Sequence, residues 1–463
     1  MRLILSLIFL SNAFLSFTQE ITAVKQLITG SDIHISQLKT DRDNNYYVAG
    51  YFSGTVNFNP SGNATEAQAN ESRDIFIAKY NIQHQLIWMN QIKQRNKFAN
   101  TWSFLDVDHE GNVIVGGSFE KGIFFEKDST QQLTTFGRED IYLLKMDHKG
   151  RTLWWRHIGG LHMDIASCVK TDSHGDIVIC GQFSGPMDFD PGASKHVQTS
   201  STKNSFIAKY SKDGDFSWVK HIKEEHNEGS TPPQICIDQE DNIILAGQFN
   251  GNAIFNDLGA KADSGSANIF VVKYDTYGKS IWQTKLDIDG FSPYSMVKSV
   301  IVSDDKILLT GWLNQCHLNN AELGGISANL FISSCDQNGK ESWSRVINSS
   351  YNNFGSDICI TDKDQIFIAG GFEGVLNLYT GEEFISNGTD ALILQYSTAG
   401  NLVQCFQIGG FGEQYLESID IRQDGKILAI GSFNRQTIVT SKSKPVYFDL
   451  TAYTNFPVVA IIN

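Results

Sequence analysis

The sequence predicts an all-β protein, a seven-bladed β-propeller built from four-stranded antiparallel blades. Three observations predict this fold: a glycine-centred phrase repeats along the chain, turns rich in Asp, Asn and Gly separate short apolar runs, and the predicted strands leave no room for large helices. The composition agrees, because the 463 residues include 40 Gly and 8 Pro, and aromatic residues make up 11% of the chain. Gly suits tight turns, and aromatic residues favour strands.

The charge balance excludes one class of partner. The chain has 37 Lys and Arg against 51 Asp and Glu, which gives a net charge of −14. A nucleic-acid-binding surface needs clustered cations, so no nucleic acid is expected as a partner. Charged residues make up 19% and hydrophobic residues 41% of the chain, which excludes a disordered protein.

The N-terminus has the pattern of a secretory signal peptide. Met1 and Arg2 precede an apolar run over residues 3–10, and small residues follow up to Thr18. Cleavage is expected near Thr18/Gln19, so that residues 1–18 are removed. The apolar run is too short to span a bilayer. The mature chain, residues 19–463, is therefore expected to be secreted, periplasmic or at the cell surface, without membrane insertion.

The repeated phrase is an apolar residue, a glycine two positions later and an aromatic or large apolar residue two positions after that. Its spacing runs from 59 to 67 residues, which predicts seven copies of one structural unit. The equivalent glycines are Gly50, Gly117, Gly181, Gly247, Gly311, Gly370 and Gly431.

Each repeat is predicted to contain four strands, a to d. Strand a precedes an acidic turn such as residues 108–112, and strand b contains the repeat glycine. Strand c is apolar and often ends in Lys-Tyr, as at Lys79-Tyr80, and strand d follows a second tight turn. A four-stranded antiparallel sheet repeated around an axis is a propeller blade. Strand d begins with a tryptophan in five repeats: Trp88, Trp154, Trp218, Trp282 and Trp343.

The two ends of the mature chain predict how the ring closes. Residues 21–27 match strand d, with Ala23 in the place of the tryptophan, and residues 456–463 match strand c. The N-terminal strand would therefore complete the last blade and pair both exposed edges. An open β-solenoid is the alternative, and it has no use for a split repeat. Residues 19–463 are thus expected to form one domain.

Several short motifs resemble the SBBP-type β-propeller repeats of bacterial secreted and surface proteins. They are the glycine phrase itself, the element Phe189-Asp190-Pro191-Gly192, and Ile-Gly-Gly at residues 158–160 and 408–410. The resemblance covers nearly all of the mature chain. It implies a propeller scaffold and no particular reaction.

Metal and cofactor motifs are sparse. No zinc signature or phosphate-binding glycine loop is present, so no cofactor is expected. Calcium is the one alternative, with Asp188 and Asp190 as candidate ligands; these acids could instead cap backbone N–H groups in a turn. His157 and His221 share one position in successive repeats, either as metal ligands or as solvated residues at a strand edge.

Two further sets of residues leave alternatives open. Cys168 and Cys180 lie symmetrically about a predicted turn, either as a disulfide or as buried free thiols. Acids in the d–a loops could supply the paired carboxylates of a glycoside-cleaving enzyme, or they could be solvated. These acids are Asp164, Glu224, Glu225, Asp287, Asp289 and Glu413.

The b–c and d–a loops are long and differ between repeats, and in an antiparallel blade they emerge on the same face. Variable loops on a rigid scaffold often bind partners. The d–a loops carry aromatic residues that either form a stacking platform or pack between blades: Phe98, Trp102, Phe291, Tyr294, Tyr351, Phe354, Phe411 and Tyr415.

These features predict a monomeric, non-enzymatic scaffold that binds a polysaccharide or an extracellular surface protein through this loop-rich face. A polysaccharide-acting hydrolase or lyase is the second hypothesis, and a purely structural spacer is the third.

Overall fold

A computed structural model describes residues 20–30, 32–95, 103–125, 132–226, 231–255, 258–261, 267–286, 288–289, 295–303, 305–314, 317–318, 328–410, 412–433, 437–440, 446–448 and 456–462. Throughout these ranges the regular structure is β-strand, so the all-β prediction is confirmed. The described part of the chain contains no helix of the length and apolarity needed to cross a membrane.

The strands follow one another with short connections. In chain order they are β1 (Ile21–Gln26), β2 (Thr29–Gly30), β3 (Ile33–Thr40), β4 (Tyr46–Asn57), β5 (Glu66–Tyr80), β6 (Leu86–Gln94), β7 (Ser103–Val107), β8 (Val113–Phe124), β9 (Gln132–Met146), β10 (Thr152–Gly160), β11 (Ile165–Thr171), β12 (Ile177–Asp188), β13 (Val197–Tyr210), β14 (Phe216–His226), β15 (Gln234–Ile237), β16 (Ile243–Phe255), β17 (Leu258–Lys261), β18 (Ala267–Tyr274), β19 (Ser280–Leu286), β20 (Ile288–Asp289), β21 (Met296–Val302), β22 (Lys306–Asn314), β23 (His317–Leu318), β24 (Ala328–Asp336), β25 (Glu341–Ser349), β26 (Asn353–Ile360), β27 (Gln365–Asn377), β28 (Glu383–Ser397), β29 (Leu402–Gly410), β30 (Tyr415–Ile421), β31 (Ile427–Phe433), β32 (Thr437–Thr440), β33 (Val446–Phe448) and β34 (Phe456–Ile462).

The main strands group into four-stranded antiparallel units, as predicted. The first unit is β3–β6, the second β7–β10 and the third β11–β14, each paired in chain order. The fourth unit is β15, β16, β18 and β19, the fifth β21, β22, β24 and β25, and the sixth β26–β29.

The last unit takes its strands from both ends of the chain. Strands β30, β31 and β34 pair in that order, and β1 pairs antiparallel with β34. In this ladder Ile21 lies opposite Ile462, and Gln26 lies opposite Val458. The ladder gives β34 a strand partner on each side, so that neither of its edges is left open.

Five repeat glycines, in the first, third, fifth, sixth and last units, stand where two backbones come close together. In these units strand a contains a bulge opposite the glycine, for example between Ile35 and Gln37 in the first unit. A Cβ atom at Gly50 would lie 2.0 Å from the carbonyl oxygen of His34, and one at Gly181 would lie 1.9 Å from that of Ile165. A side chain is therefore excluded at these positions by the close backbone approach.

Each strand-d tryptophan joins its unit to the next one. The indole Nε1–H donates to a backbone carbonyl in the following unit's c–d turn. The ring also lies against the glycine of that turn, except in the second unit, where Arg156 lies there instead. The bonds are Trp88 to His148 (3.0 Å), Trp154 to Lys212 (3.3 Å), Trp218 to Thr276 (3.1 Å), Trp282 to Gln337 (2.9 Å) and Trp343 to Thr398 (2.9 Å).

The first strands of successive units also pack side by side: β3 contacts β7, and β30 contacts both β26 and β3. Thr171 donates its N–H and its hydroxyl to Asp106 of the preceding unit (2.8 and 2.9 Å), and Thr40 does the same to Asp420 (2.8 and 3.1 Å). The contact between the last and first units is therefore built like the one between the second and third. Apolar clusters fill the space between facing units.

The described cysteines are buried and free. Cys168 and Cys180 lie opposite each other in the β11–β12 ladder, yet their thiols donate to different carbonyl oxygens, those of Ile235 (3.7 Å) and Pro233 (3.1 Å). Of the two alternatives for this pair, the structure shows free thiols. Burial raises the pKa of both thiols, which makes them poor nucleophiles.

Candidate functional site

Three of the predicted aromatic residues fall within the described part of the chain: Tyr351, Phe354 and Tyr415. The other five, which are Phe98, Trp102, Phe291, Tyr294 and Phe411, lie outside the described residues. Their place in a binding platform stays a prediction.

Tyr415 begins strand β30, next to a stacked group in the first unit. Tyr51 follows the repeat glycine in β4, and its ring stacks on His34 with centroids 4.7 Å apart. The guanidinium carbon of Arg73 lies 5.1 Å from the centre of the Tyr51 ring. The carboxylate of Asp32 lies 3.5 Å from Arg73 Nε and 4.0 Å from His34 Nε2, so it holds both groups in place.

A second aromatic pair lies between the fifth and sixth units. Trp312 also follows a repeat glycine, and its ring meets Phe354 edge-on at 6.4 Å. Lys298 Nζ lies 5.9 Å from the Trp312 ring centre. We call His34, Tyr51, Trp312, Phe354 and Tyr415 the aromatic surface.

Charged groups connect the two halves of the aromatic surface. Glu417 lies two residues after Tyr415. Burial raises the pKa of Glu417, and nearby Lys298 opposes the shift. Burial, followed by the charge of Glu417, raises the pKa of Tyr415 to about 12. The half-buried tyrosines therefore stay neutral, and the Glu417 carboxyl is close enough to both halves to be affected by Lys298 and to affect Tyr415.

Sequence reasoning missed Tyr51 and Trp312, because both lie within strands and not in the variable loops. The available signal was their position: each follows a repeat glycine. The same position in the other repeats holds small or amide side chains, namely Ser118, Gln182, Gln248, Gly371 and Ser432.

Tyr351 belongs to a different local structure. Its side chain is 58% exposed, and a Cβ atom at Gly374 would lie 2.6 Å from its ring. The neighbouring Ser350 Oγ accepts a hydrogen bond from the Val375 N–H of the same hairpin (2.8 Å). Tyr351 therefore packs on the b–c hairpin of its own unit.

Two buried acids form a pair on the loop-rich face. The Asp164 N–H donates to the Glu139 carbonyl (2.8 Å), which ties the d–a loop to strand β9. Burial, followed by the charge of Glu120, raises the pKa of Glu139 to about 7. Burial, followed by the charge of Asp140, raises the pKa of Asp164 to about 7. Near neutral pH this pair can both hold and release a proton.

The expectation of solvated histidines at positions 157 and 221 is wrong. His157 Nε2 lies 2.6 Å from the carboxylate of fully buried Asp140, and Phe136 stacks on its ring at 4.1 Å. His221 Nε2 lies 3.2 Å from Asn204 Nδ2. Burial lowers the pKa of His221 to about 4. Both histidines join strand d to strand c within one unit.

The two calcium candidates are engaged in a turn. Asp188 Oδ1 accepts the N–H groups of Asp190 (3.2 Å) and His196 (2.9 Å), and Asp190 Oδ1 accepts that of Gly192 (2.8 Å). In the first unit the neutral amide of Asn57 accepts the equivalent pair of N–H groups, each at 3.0 Å. The loop therefore forms without a carboxylate at this position.

A third group of residues has the spacing of metal ligands. Asp172, His174 and Asp241 place ligand atoms within 4.8 Å of one another. Lys209 Nζ already lies 2.7 Å from Asp172 Oδ2, and the Ser173 hydroxyl donates to Asp241 at 2.6 Å. These contacts connect the third and fourth units, and a metal ion would have to displace the Lys209 ammonium group.

No protein-family model matches the chain. An uncharacterised WD repeat-containing protein of Acanthamoeba polyphaga mimivirus, L264, is 22% identical over 502 residues, which cover 87% of this chain and 35% of that protein. The chain thus spans about a third of that relative's length. The repeated four-stranded units and this relative support a β-propeller repeat protein. The resemblance to SBBP-type repeats stays a prediction.

Two of the solved structures that this chain matches are bacterial proteins. A protein of unknown function from Dyadobacter fermentans is 7% identical, with a TM-score of 0.42 over 96% of this chain and 99% of its own. Virginiamycin B lyase from Staphylococcus aureus is 9% identical, with a TM-score of 0.33 over 95% of this chain and 99% of its own.

Proposed function

We propose that residues 19–463 form one seven-bladed β-propeller, and that this propeller is an exported, non-enzymatic scaffold that binds a polysaccharide through its loop-rich face. The closed ring is supported by the β1–β34 ladder and by the Thr40–Asp420 contact between the last and first units. Export is supported by the signal-peptide pattern of residues 1–18.

The observation that carries the binding proposal is the aromatic surface. Sugar rings present apolar C–H faces that pack on aromatic rings, and their hydroxyl groups bond to carboxylates and guanidinium groups beside those rings. Tyr51 and Trp312 supply half-buried rings, and Arg73, Asp32 and Glu417 supply polar groups next to them. A surface protein is the second partner class for the same rings.

Affinity electrophoresis in gels that contain neutral or acidic polysaccharides tests this proposal. We expect at least one polysaccharide to retard the protein, and Tyr51→Ala or Trp312→Ala to weaken the binding by about fivefold, since one aromatic contact contributes about 1 kcal/mol. Tyr277→Ala is the matched control, because Tyr277 is an 80% exposed ring in a c–d turn on the opposite face. Unchanged retardation in both surface variants would remove the aromatic surface from the proposal.

A polysaccharide-acting hydrolase or lyase is the second candidate, and the buried pair of Glu139 and Asp164 favours it. A carboxylic acid that is protonated near neutral pH is a suitable general acid for glycoside cleavage. The same panel of polysaccharides decides between the two candidates, because an enzyme releases new sugar ends and Asp164→Asn abolishes that release, whereas a scaffold releases none.

A further inference from the structure

A cavity of about 530 Å³ lies between the fourth and fifth units, at the end of the strands opposite the loop-rich face. Its origin is a shortened turn. In the fourth unit the a–b turn closes with a bond from Asp238 N–H to the Asn242 carbonyl, whereas the fifth unit closes it one residue earlier, from Ser303 to Lys306. The shorter turn leaves room beside Trp282, which lines the cavity.

The other units differ in what lies over the strand-d tryptophan, and the first unit has Asn90, which is not a cation, two residues after Trp88. A cationic side chain two residues further along the strand covers the ring in the second, third and fifth units: Arg156 over Trp154 (5.0 Å), Lys220 over Trp218 (6.0 Å) and Arg345 over Trp343 (5.6 Å). The fourth unit has Thr284 at that position, and no Lys or Arg of the described chain lies over the half-buried ring of Trp282.

The wall of the cavity carries an excess negative charge. Lys273 Nζ lies 2.8 Å from the Asp238 carboxylate and 3.0 Å from Gln337 Oε1, so its charge is already balanced. Glu240 is exposed, and its carboxylate accepts a bond from Asn242 Nδ2 (3.2 Å). Among the described residues, Glu240 forms no ion pair with Lys, Arg or His.

We propose that this cavity binds an organic cation, a primary ammonium or guanidinium group, between the Trp282 ring and the Glu240 carboxylate. A cation over a tryptophan face is attracted by the ring quadrupole, and a carboxylate beside it adds a charge-assisted hydrogen bond. The ligand would supply from outside the charge that Arg156, Lys220 and Arg345 supply within the chain. The site is separate from the aromatic surface and does not depend on polysaccharide binding.

The test is a titration of the mature chain, followed through the indole N–H signals in NMR spectra. The probes are N-acetyl-lysine methylamide, N-acetyl-arginine methylamide and butylamine, with neutral N-acetyl-norleucine methylamide for comparison. We expect saturable, millimolar binding of the cations only, because the tryptophan ring and the carboxylate attract a cation and not the neutral probe. If the two charged amide probes bind and butylamine does not, the ligand is a basic side chain of a polypeptide. If all three cations bind, the site accepts organic cations in general.

Variants separate this proposal from non-specific attraction to an acidic protein. Glu240→Gln is expected to weaken binding by about fivefold or more. Glu110→Gln is the matched control, because Glu110 has the same position and the same bond to an Asn in the second unit (3.1 Å). Thr284→Arg places a cation over Trp282 within the chain, and it is expected to prevent binding.

Three results would overturn the proposal. They are equal binding of the norleucine probe, parental affinity in Glu240→Gln, and parental affinity in Thr284→Arg. The circular dichroism spectrum and the melting temperature of each variant show whether it is folded, so that a loss of binding is scored only in folded protein.

Discussion

At the scale of single residues, Glu139 shows how burial and a neighbouring like charge act in the same direction. It lies directly opposite Glu120 in the β8–β9 ladder, where two like charges destabilise a strand pair. The neutral form of Glu139 avoids this repulsion and the cost of burying a charge, which is why its pKa is raised to about 7. Asp164 behaves in the same way beside Asp140.

These two acids predict a particular pH dependence of stability. A carboxyl group whose pKa is raised on folding binds its proton more tightly in the native state, so the free energy of unfolding falls as pH rises from about 4 through 7. We expect Glu139→Gln to flatten this fall and to be more stable than the parent at pH 8, by about 2 kcal/mol. Denaturant unfolding at intervals of one pH unit measures the effect. Curves for parent and variant that run parallel from pH 4 to 8 would contradict it.

At the scale of elements, the c–d turn depends on a glycine for two separate reasons. Its glycine has a positive φ, for example +76° at Gly400, a region that side chains disfavour. It also lies against the tryptophan of the preceding unit, since a Cβ atom at Gly400 would lie 2.5 Å from Trp343. The turn therefore fixes both its own conformation and the contact between units.

Two substitutions separate these reasons. Gly425 has a φ of +79° in an a–b turn, and a Cβ atom there would meet nothing within 4 Å. We expect Gly425→Ala to cost about 1 kcal/mol through backbone strain alone, and Gly400→Ala to cost about 3 kcal/mol because the Trp343 ring must also move. Thermal or urea unfolding measures both. Equal losses in the two variants would show that the tryptophan contact contributes nothing.

The element scale also shows what the sequence could and could not predict. Strand order and turns follow from local patterns that repeat, so they were predicted. The reason for the Ile-Gly-Gly motif was not, because it lies across the sheet: a Cβ atom at Gly159 would lie 2.5 Å from the Asp140 carboxyl carbon, and one at Gly409 would lie 2.3 Å from an Asp390 carboxyl oxygen. Tyr51, Trp312 and the cavity beside Trp282 occur where the repeats differ from one another. A pattern defined by what the repeats share does not predict such differences.

At the scale of the whole molecule, the contact between a strand-d tryptophan and a turn glycine is replaced on both sides of the last unit, where the first and last strands, β1 and β34, pair. The sixth unit has Gln404 in the tryptophan position, and the last unit beside it has no c–d turn, because its third and fourth strands are β34 and β1. The last unit has Ala23 in that position, and the first unit has His84 in place of the turn glycine, with a φ of +65°. At the junction of the last and first units, the small residue (Ala23) is therefore on strand d and the large residue (His84) is in the turn.

The environment of His84 agrees with that exchange. Its Nδ1 lies 2.8 Å from the Tyr46 hydroxyl. Burial lowers the pKa of His84 to about 4, and the next contributions come from Lys25 on β1 and Arg422 of the last unit. His84 therefore lies at the contact between the first and last units.

A double-mutant cycle tests this junction. We expect Ala23→Trp to be destabilising because His84 occupies the space that the ring needs, and His84→Gly to be destabilising because it leaves a void. The double variant restores the pair used elsewhere and should recover about 2 kcal/mol relative to the sum of the single changes. Urea unfolding of the four proteins gives this coupling energy. Additive losses would mean that Ala23 and His84 do not share one contact.

The ladder between β1 and β34 has a kinetic consequence. The bond from the Thr22 hydroxyl to the Ile461 carbonyl spans 439 residues, so β1 gains its partner only after β34 has been synthesised. Pairings this remote are slow to form, since so much chain must be brought together first. This pairing therefore cannot form before residue 462 has been synthesised, and until then β1 is the segment that a chaperone would have to shield.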